Sequence, residues 1–310
     1  MKAYIIFKDY QNFSEGMGFL HKIADKIVIR QTNERPNKEE LKKLVSEYDI
    51  IVIGMKESMD DEVFEHATRL KYLCTSSIGT DHISKKFFES DNIEVINVSQ
   101  ANVISVAEYA LAYIIGDMKY FDIGHRAFTN KTDRPGMPSL PREMSSMTIG
   151  VVGAGKIATK FFELTKPFNS KLLCWTPNPD KHKDLKTLGI EFVSKEQLFK
   201  QADYILILIP LTPDTKKLIS KELLIKTKPN AKLINVSRMD IIDNHALKEM
   251  VLAGKFHGSL IDALNSEIDR NIAEPMLPYI KITPHVAGVS EEAQIRIFTE
   301  IMEKLVKAIK

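Results

Sequence analysis

Cysteine is scarce in this chain: Cys74 and Cys174 are the two among 310 residues. They stand in separate apolar runs with no ligand-like spacing, which argues against a disulfide scaffold and a thiolate metal centre. Reduced core thiols in the cytoplasm are expected, and no metal. Charge of one sign is also missing. The formal net charge is +2, with no block of like charge, so neither nucleic acid nor an anionic membrane surface is an expected partner. No apolar run is long enough to span a bilayer; the longest, 106–115, is interrupted by Glu108. The opening MKAYIIFKDY is too short an apolar run for a signal peptide and reads as a first strand. Internal repeats are absent. What is present is an ordinary globular balance, 44% hydrophobic and 27% charged, at a length that suits two domains.

Apolar runs at 3–7, 26–29, 50–53, 72–74 and 93–98 alternate with helical stretches such as 38–47 and 61–67. Strand–helix alternation of this kind predicts a parallel sheet covered on both faces. A long apolar helix is expected over 105–121, then a proline-containing loop over 129–146. From residue 148 the alternation restarts, with strands expected at 149–152, 171–175, 204–209, 232–236, 259–263 and 281–283. The fold class is therefore α/β, with two doubly wound parallel-sheet domains. The last segment, 291–310, is an amphipathic helix with no strand after it.

The second alternation begins on TIGVVGAGKIA, residues 148–158. An apolar strand runs directly into Gly153-Ala154-Gly155-Lys156-Ile157-Ala158 and then a helical pattern. Gly153 suits the tight turn, Gly155 a close backbone approach to a pyrophosphate, and Ala158 close packing of helix on strand. The phosphates would sit on the N–H groups of the helix N-terminus. A tight turn with no ligand is the plain alternative.

Four segments in order, GVVGAGKIA (150–158), ADYILILIPLTPDTKKLI (202–219), KPNAKLINVSR (228–238) and ITPHVAG (282–288), resemble the D-isomer-specific 2-hydroxyacid dehydrogenases. The likeness is weaker over 1–95, where SIGTDHIS (77–84) is similar. The resemblance implies a flavodoxin-like catalytic and substrate domain from both chain ends, 1–99 and 289–310. Into it is inserted a Rossmann NAD(P)-binding domain, 100–288. It implies hydride transfer between a nicotinamide cofactor and a small 2-hydroxy or 2-oxo acid, in a homodimer.

Reducing a 2-oxo acid requires a cation for the carboxylate and carbonyl, an acid for the developing alkoxide, and a group that keeps the acid protonated. Arg238, with a planar fork suited to a carboxylate, fits the first role. His285, in Thr283-Pro284-His285, fits the second. Glu267 would hydrogen-bond the imidazole and favour its protonated form. The family usually has proline after this glutamate, whereas Ile268 follows here, and a Glu-Pro pair occurs instead at Glu274-Pro275. Glu267 stands five residues after Asp262, the family's spacing, and is preferred. Asp262 resembles the aspartate that bonds the nicotinamide carboxamide; a helix-capping role is the alternative. Ser77, Ile78 and Gly79 resemble the loop whose N–H groups take the substrate carboxylate. The resemblance also carries cofactor contacts onto Gly153, Gly155, Lys156, Ile157, Pro210, Thr215, Val236, Ser237 and His285. Asn102 and Glu108 match positions near the active site and the domain junction.

The acidic residue that grips the adenine ribose normally ends the second Rossmann strand. Thr176 stands there, with no carboxylate to repel a 2′-phosphate and no adjacent arginine to bind one. Lys181 and Lys183 follow, with Asp180 beside them, and the balance leans slightly to NADP over NAD. Met239 stands where the family generally has glycine, which could alter the loop conformation or narrow the substrate pocket. Lys56, at a strand end of the first domain, could meet an acidic substrate. A catalytically weak dinucleotide sensor resembling corepressors of this fold, or a phosphite-oxidising relative, are the competing readings. Formate dehydrogenases typically have glutamine where Glu267 stands.

Overall fold

Short runs rich in Ile, Val and Leu form the strands, and the chain builds two all-parallel sheets from them. The computed structural model describes residues 1–131, 140–263 and 268–310. The chain divides into two units, Met1–Asn102 with Val289–Lys310, and Val103–Gly288.

The first unit runs β1 (Lys2–Ile5), α1 (Ser14–Leu20), β2 (Lys26–Ile29), α2 (Lys38–Glu47), β3 (Ile50–Ile53), α3 (Asp61–Glu65), β4 (Tyr72–Thr75), α4 (Lys85–Glu89) and β5 (Glu94–Asn97). Its sheet has the order β2-β1-β3-β4-β5. β3 is buried along its whole length, as an inner parallel strand must be.

The second unit opens with α5 (Val103–Met118) and α6 (Phe121–Thr129), where one helix over 105–121 was expected. Tyr120 adopts a left-handed backbone, φ 59°, and breaks the helix there. Then follow β6 (Thr148–Val152), α7 (Lys156–Thr165), β7 (Lys171–Trp175), β8 (Glu191–Phe192), α8 (Lys195–Gln201), β9 (Tyr204–Ile207), α9 (Lys221–Ile225), β10 (Lys232–Asn235), α10 (Asn244–Leu252), β11 (Leu260–Asp262), α11 (Arg270–Ala273) and β12 (Lys281–Thr283). The order β12-β11-β10-β9-β6-β7-β8 reverses direction between β6 and β9, the arrangement that opens a crevice at the strand ends. Gly150 lies under Leu198 and Ala202, where a Cβ would come within 2.6 Å of the leucine, so β6 and α8 approach closely only because that residue is glycine.

α12 (Glu291–Ile309) completes the first unit. Ser290 caps it, accepting from the Ala293 N–H at 3.2 Å. Ile297, Phe298, Ile301, Met302 and Leu305 then enter one core cluster with Ile5, Leu20, Ile50 and Val52. Both cysteines are buried free thiols; burial pushes Cys174 up to about 12 and Cys74 higher still. Among the described residues, no helix is long and apolar enough to cross a membrane and no cluster could hold a metal.

Candidate active site

In the second unit most of the described residues singled out for chemistry or cofactor follow, end or lie just past the C-terminal end of a strand. Gly153 follows β6, Thr176 follows β7, Pro210 lies past β9, Val236 to Arg238 follow β10, Asp262 ends β11 and His285 follows β12. β10, β11 and β12 are neighbours, so Arg238, Asp262 and His285 share one stretch of sheet edge.

The glycine turn has the geometry a pyrophosphate needs. Gly153 has φ +113°, and a Cβ there would lie 2.6 Å from the Leu208 carbonyl oxygen, so no other residue fits. Gly155 is the N-cap of α7 with no side-chain cap, and a Cβ there would meet nothing within 4 Å. Open space before an uncapped ten-residue helix leaves N–H groups for an anion. Lys156 is exposed and Ile157 half-buried at that helix start. These residues fit a dinucleotide.

Two further loops are fixed by side chains. The Thr215 hydroxyl donates to the Pro210 carbonyl at 2.6 Å and accepts from the Thr212 N–H at 2.7 Å. Asn235, 1% exposed at the end of β10, donates to the Arg238 carbonyl at 3.0 Å and accepts from the Ser237 N–H at 3.0 Å. The Ser237 hydroxyl donates to the Ile207 carbonyl at 3.0 Å, which ties the same turn to β9. Arg238 is thereby presented half-buried from a stapled turn, with Nη1 donating to the Ser237 carbonyl at 3.2 Å. The sequence signal for Asn235 was an amide inside an otherwise apolar strand.

His285 has a left-handed backbone, φ 56°, which costs a non-glycine residue on the order of 1–3 kcal/mol. Asp262, 1% exposed, holds that loop. Its Oδ1 accepts from the Thr283 hydroxyl at 2.6 Å and the Val286 N–H at 2.8 Å, and its Oδ2 from the Ala287 N–H at 2.8 Å. Hydrogen bonds to a charged group contribute roughly 1.5–3 kcal/mol each, enough to offset the strain. Three of a carboxylate's roughly four acceptor sites are then used, leaving room for one more donor. From α5, the Tyr109 hydroxyl donates to Thr283 Oγ1 at 2.9 Å and the Ser105 hydroxyl to the Ala287 carbonyl at 2.7 Å. Burial raises the Tyr109 phenol above its ordinary range, so it remains a donor. Sequence reasoning missed Ser105 and Tyr109, because their role depends on which strand end α5 lies against.

Glu267 lies outside the described residues. The other candidate, Glu274, is exposed and pairs with Arg270 at 3.6 Å. Met239 does not narrow a pocket: it is 1% exposed and joins a core cluster with Ile241 and Ile242. Thr176 is half-buried, Asp180 pairs with Lys183 at 3.2 Å, and Lys195 sits 5.0 Å over the Trp175 ring.

In the first unit, Ser77–Gly79 follows β4. Its carbonyls are engaged: the Ser77 hydroxyl donates to the Gly79 carbonyl at 2.6 Å and Asn97 Nδ2 to the Ile78 carbonyl at 2.9 Å. The Thr75 hydroxyl sits 3.0 Å from both Ser77 Oγ and His82 Nε2. The N–H groups of Ile78 and Gly79 donate to nothing among the described residues, as an anion-binding loop requires. Asn102 carries a buried Oδ1 with no partner among the described residues, and Glu108 is exposed.

The profile of one family, described as D-isomer specific 2-hydroxyacid dehydrogenase, NAD binding domain, matches residues 111–287. Among curated relatives, a hydroxypyruvate reductase of Thermotoga maritima is 28% identical over 293 residues, 93% of each chain. The chain spans about half the length of the D-3-phosphoglycerate dehydrogenases it matches. Among solved structures, an acyclic imino acid reductase in complex with NADPH and D-Arg superposes with TM-score 0.86 at 25% identity, covering 100% of this chain and 97% of that one. An NAD-dependent formate dehydrogenase of Staphylococcus aureus in complex with NAD gives 0.85 at 25% identity, with coverage of 100% and 96%.

Proposed function

Because the chain belongs to the D-isomer specific 2-hydroxyacid dehydrogenase family, we propose that it interconverts a small 2-oxo acid and its D-2-hydroxy acid with a nicotinamide cofactor. The observation that carries this reading is the alignment of Arg238, Asp262 and His285 on three adjacent strand ends, with the His285 loop clamped. When bound, the cofactor supplies the hydride to C2 of the acid, or accepts it in the reverse direction.

This chain's residues do the rest. Arg238 binds the carboxylate and polarises the carbonyl through its fork. His285 gives its proton to the carbonyl oxygen during reduction and takes it back in oxidation; positioned proton transfer is worth roughly 10²–10⁴-fold in rate. Glu267 is read as the partner that favours the protonated imidazole, since Glu274 is already paired at the surface. Asp262 holds the His285 loop and has one acceptor site left for a carboxamide. The amides of Ser77–Gly79 receive the acid's carboxylate. Gly153, Gly155, Lys156 and Ile157 cradle the pyrophosphate; Pro210, Thr215, Val236 and Ser237 line the nicotinamide side.

Thr176 in place of an acidic residue supports NADP over NAD. Lys181 and Lys183 are the cations near enough in sequence to meet a 2′-phosphate, although Asp180 pairs with Lys183; Lys195, over the Trp175 ring, adds a third cation beside the end of β7. We read the protein as cytoplasmic and as a homodimer. α6 buries none of its residues and exposes Phe121 and Phe128, an apolar face that a second copy would cover. Phe128→Glu is expected to give a monomer by light scattering.

The test mixes the protein with NADH or NADPH and a panel of 2-oxo acids (glyoxylate, pyruvate, hydroxypyruvate, phenylpyruvate) and follows nicotinamide absorbance. Turnover is expected, faster with NADPH. His285→Ala should abolish it with cofactor binding retained. Cofactor binding without turnover of any acid would make the protein a dinucleotide sensor.

A further inference from the structure

The first unit holds an arginine in a manner unlike a surface ion pair. Glu57, just past β3, has a fully buried carboxylate with 0% side-chain exposure. Its Oε2 accepts from the Gly54 N–H at 2.8 Å and its Oε1 from Arg35 Nη1 at 3.2 Å. The Arg35 guanidinium lies 5.0 Å over the Phe7 ring, yet its side chain is 41% exposed. Its Nη2 and Nε donate to nothing among the described residues. Gly54 permits the arrangement: a Cβ there would come within 2.8 Å of Phe7 and 3.1 Å of Glu57.

We propose that Arg35 binds a second anionic group, carboxylate or phosphate, on the 2-oxo acid. The inference rests on the reaction proposed above and names its substrate class. Location supports it. Phe7, Gly54 and Ser77 follow β1, β3 and β4, three adjacent strands, at the edge where open α/β sheets take ligands. The Ile53 carbonyl accepts from the Ser76 N–H at 2.9 Å, so Gly54 lies directly beside the start of the Ser77–Gly79 loop. Chemistry supports it too. Arginine presents five donors in a rigid fork; one is spent on Glu57 and others face outward. The buried carboxylate and the aromatic ring fix the fork in advance, which cuts the ordering cost of binding. The pair is neutral overall, so the attraction comes from directed N–H groups and not from net charge. Lys56, exposed beside it, is a flexible point charge with no such bracing.

The test compares 2-oxoglutarate with 2-oxopentanoate, equal in length but differing by one carboxylate, together with oxaloacetate and phosphohydroxypyruvate to separate carboxylate from phosphate. The wild type should favour the doubly anionic acids in kcat/KM. Arg35→Met/Glu57→Gln, which leaves no unpaired buried charge, should lower that preference by about 10–100-fold, the factor charge-assisted hydrogen bonds support. An unchanged preference in the double variant, a wild type that favours 2-oxopentanoate, or a preference lost in Lys56→Ala instead would overturn the proposal. Thermal melting with the same acids keeps the two readings separable. If no acid is turned over, the proposed reaction fails. The Arg35 site then still requires that 2-oxoglutarate raise the melting temperature of the wild type above the rise given by 2-oxopentanoate, and not that of the double variant. Equal rises overturn it.

Discussion

Gly153 and Gly155 stand two residues apart and carry different demands. The first is required by the fold, through φ +113° and the Leu208 carbonyl; the second has ordinary backbone angles and open space. Gly153→Ala should therefore destabilise the protein by about 1–3 kcal/mol, read as a lower melting temperature. Gly155→Ala should melt like the wild type yet bind NADPH at least about tenfold more weakly by fluorescence titration, because its methyl enters the space proposed for the pyrophosphate. Equal effects of the two variants on both readouts would refute this division of roles. Both glycines stood out in the sequence because a glycine-rich turn from strand to helix is a local pattern. Ser105 and Tyr109 did not, since each acts on a segment that only the folded sheet brings near, whereas Asn235 acts on its own turn and showed only as an amide in an apolar strand. Of the two effects open for Met239, an altered loop or a narrowed pocket, the second falls, because its side chain turns into the core.

Most elements were legible as well, because the strands are short runs dominated by apolar residues between helical stretches. β8 was missed, with two residues too short to show any period, and Tyr120 gave no sign that it would break the helix between α5 and α6. α12 was read correctly as amphipathic, but its docking is set by partners far away in sequence. Gly16 of α1 would place a Cβ 2.4 Å from the Phe298 ring, so the two helices meet through a missing side chain. Glu300 fastens the same helix to the chain after β5, accepting from the Ser99 N–H and hydroxyl at 2.7 Å each. Burial alone would raise the Glu300 carboxyl, but hydrogen bonds from Lys304 and Ser99 outweigh it and hold it below the usual carboxylate range. A carboxyl whose folded pKa lies below its unfolded value stabilises fully above the unfolded value and loses that contribution as pH falls through the folded one. Glu300→Gln should therefore cost about 1–2 kcal/mol in urea melts near pH 7, with the gap from wild type closing well below about pH 4. A gap independent of pH would overturn that account.

At the scale of the whole chain, the two units have unequal claims on the C-terminus. The first takes Ile297, Phe298, Ile301, Met302 and Leu305 from α12 into its core. Each such side chain contributes roughly 1.5–3 kcal/mol on burial, and together they rival the 5–15 kcal/mol that keeps an average domain folded. Removing residues 289–310 should leave the second unit able to bind NADPH while residues 1–102 become sensitive to protease. A truncated chain with both units protected would contradict this. The alternation of strands showed two sheets in the sequence, and the final helix without a following strand hinted that one sheet was incomplete. The family resemblance already assigned that helix to the first domain, and its buried face packs there; the packing complementarity that seats it is what a linear pattern does not record.

The left-handed backbone at His285 bears on how this protein could change over generations. Histidine shares that conformation most readily with asparagine and aspartate, apart from glycine. Codons for both lie a single nucleotide from those for histidine. A mutation there would silence the proton transfer proposed for His285 while the Asp262 clamp still closes around an acceptable backbone, so the proposed chemistry can be lost without the architecture. A fold built this way can drift from converting its ligand to merely reporting on it through one inexpensive step.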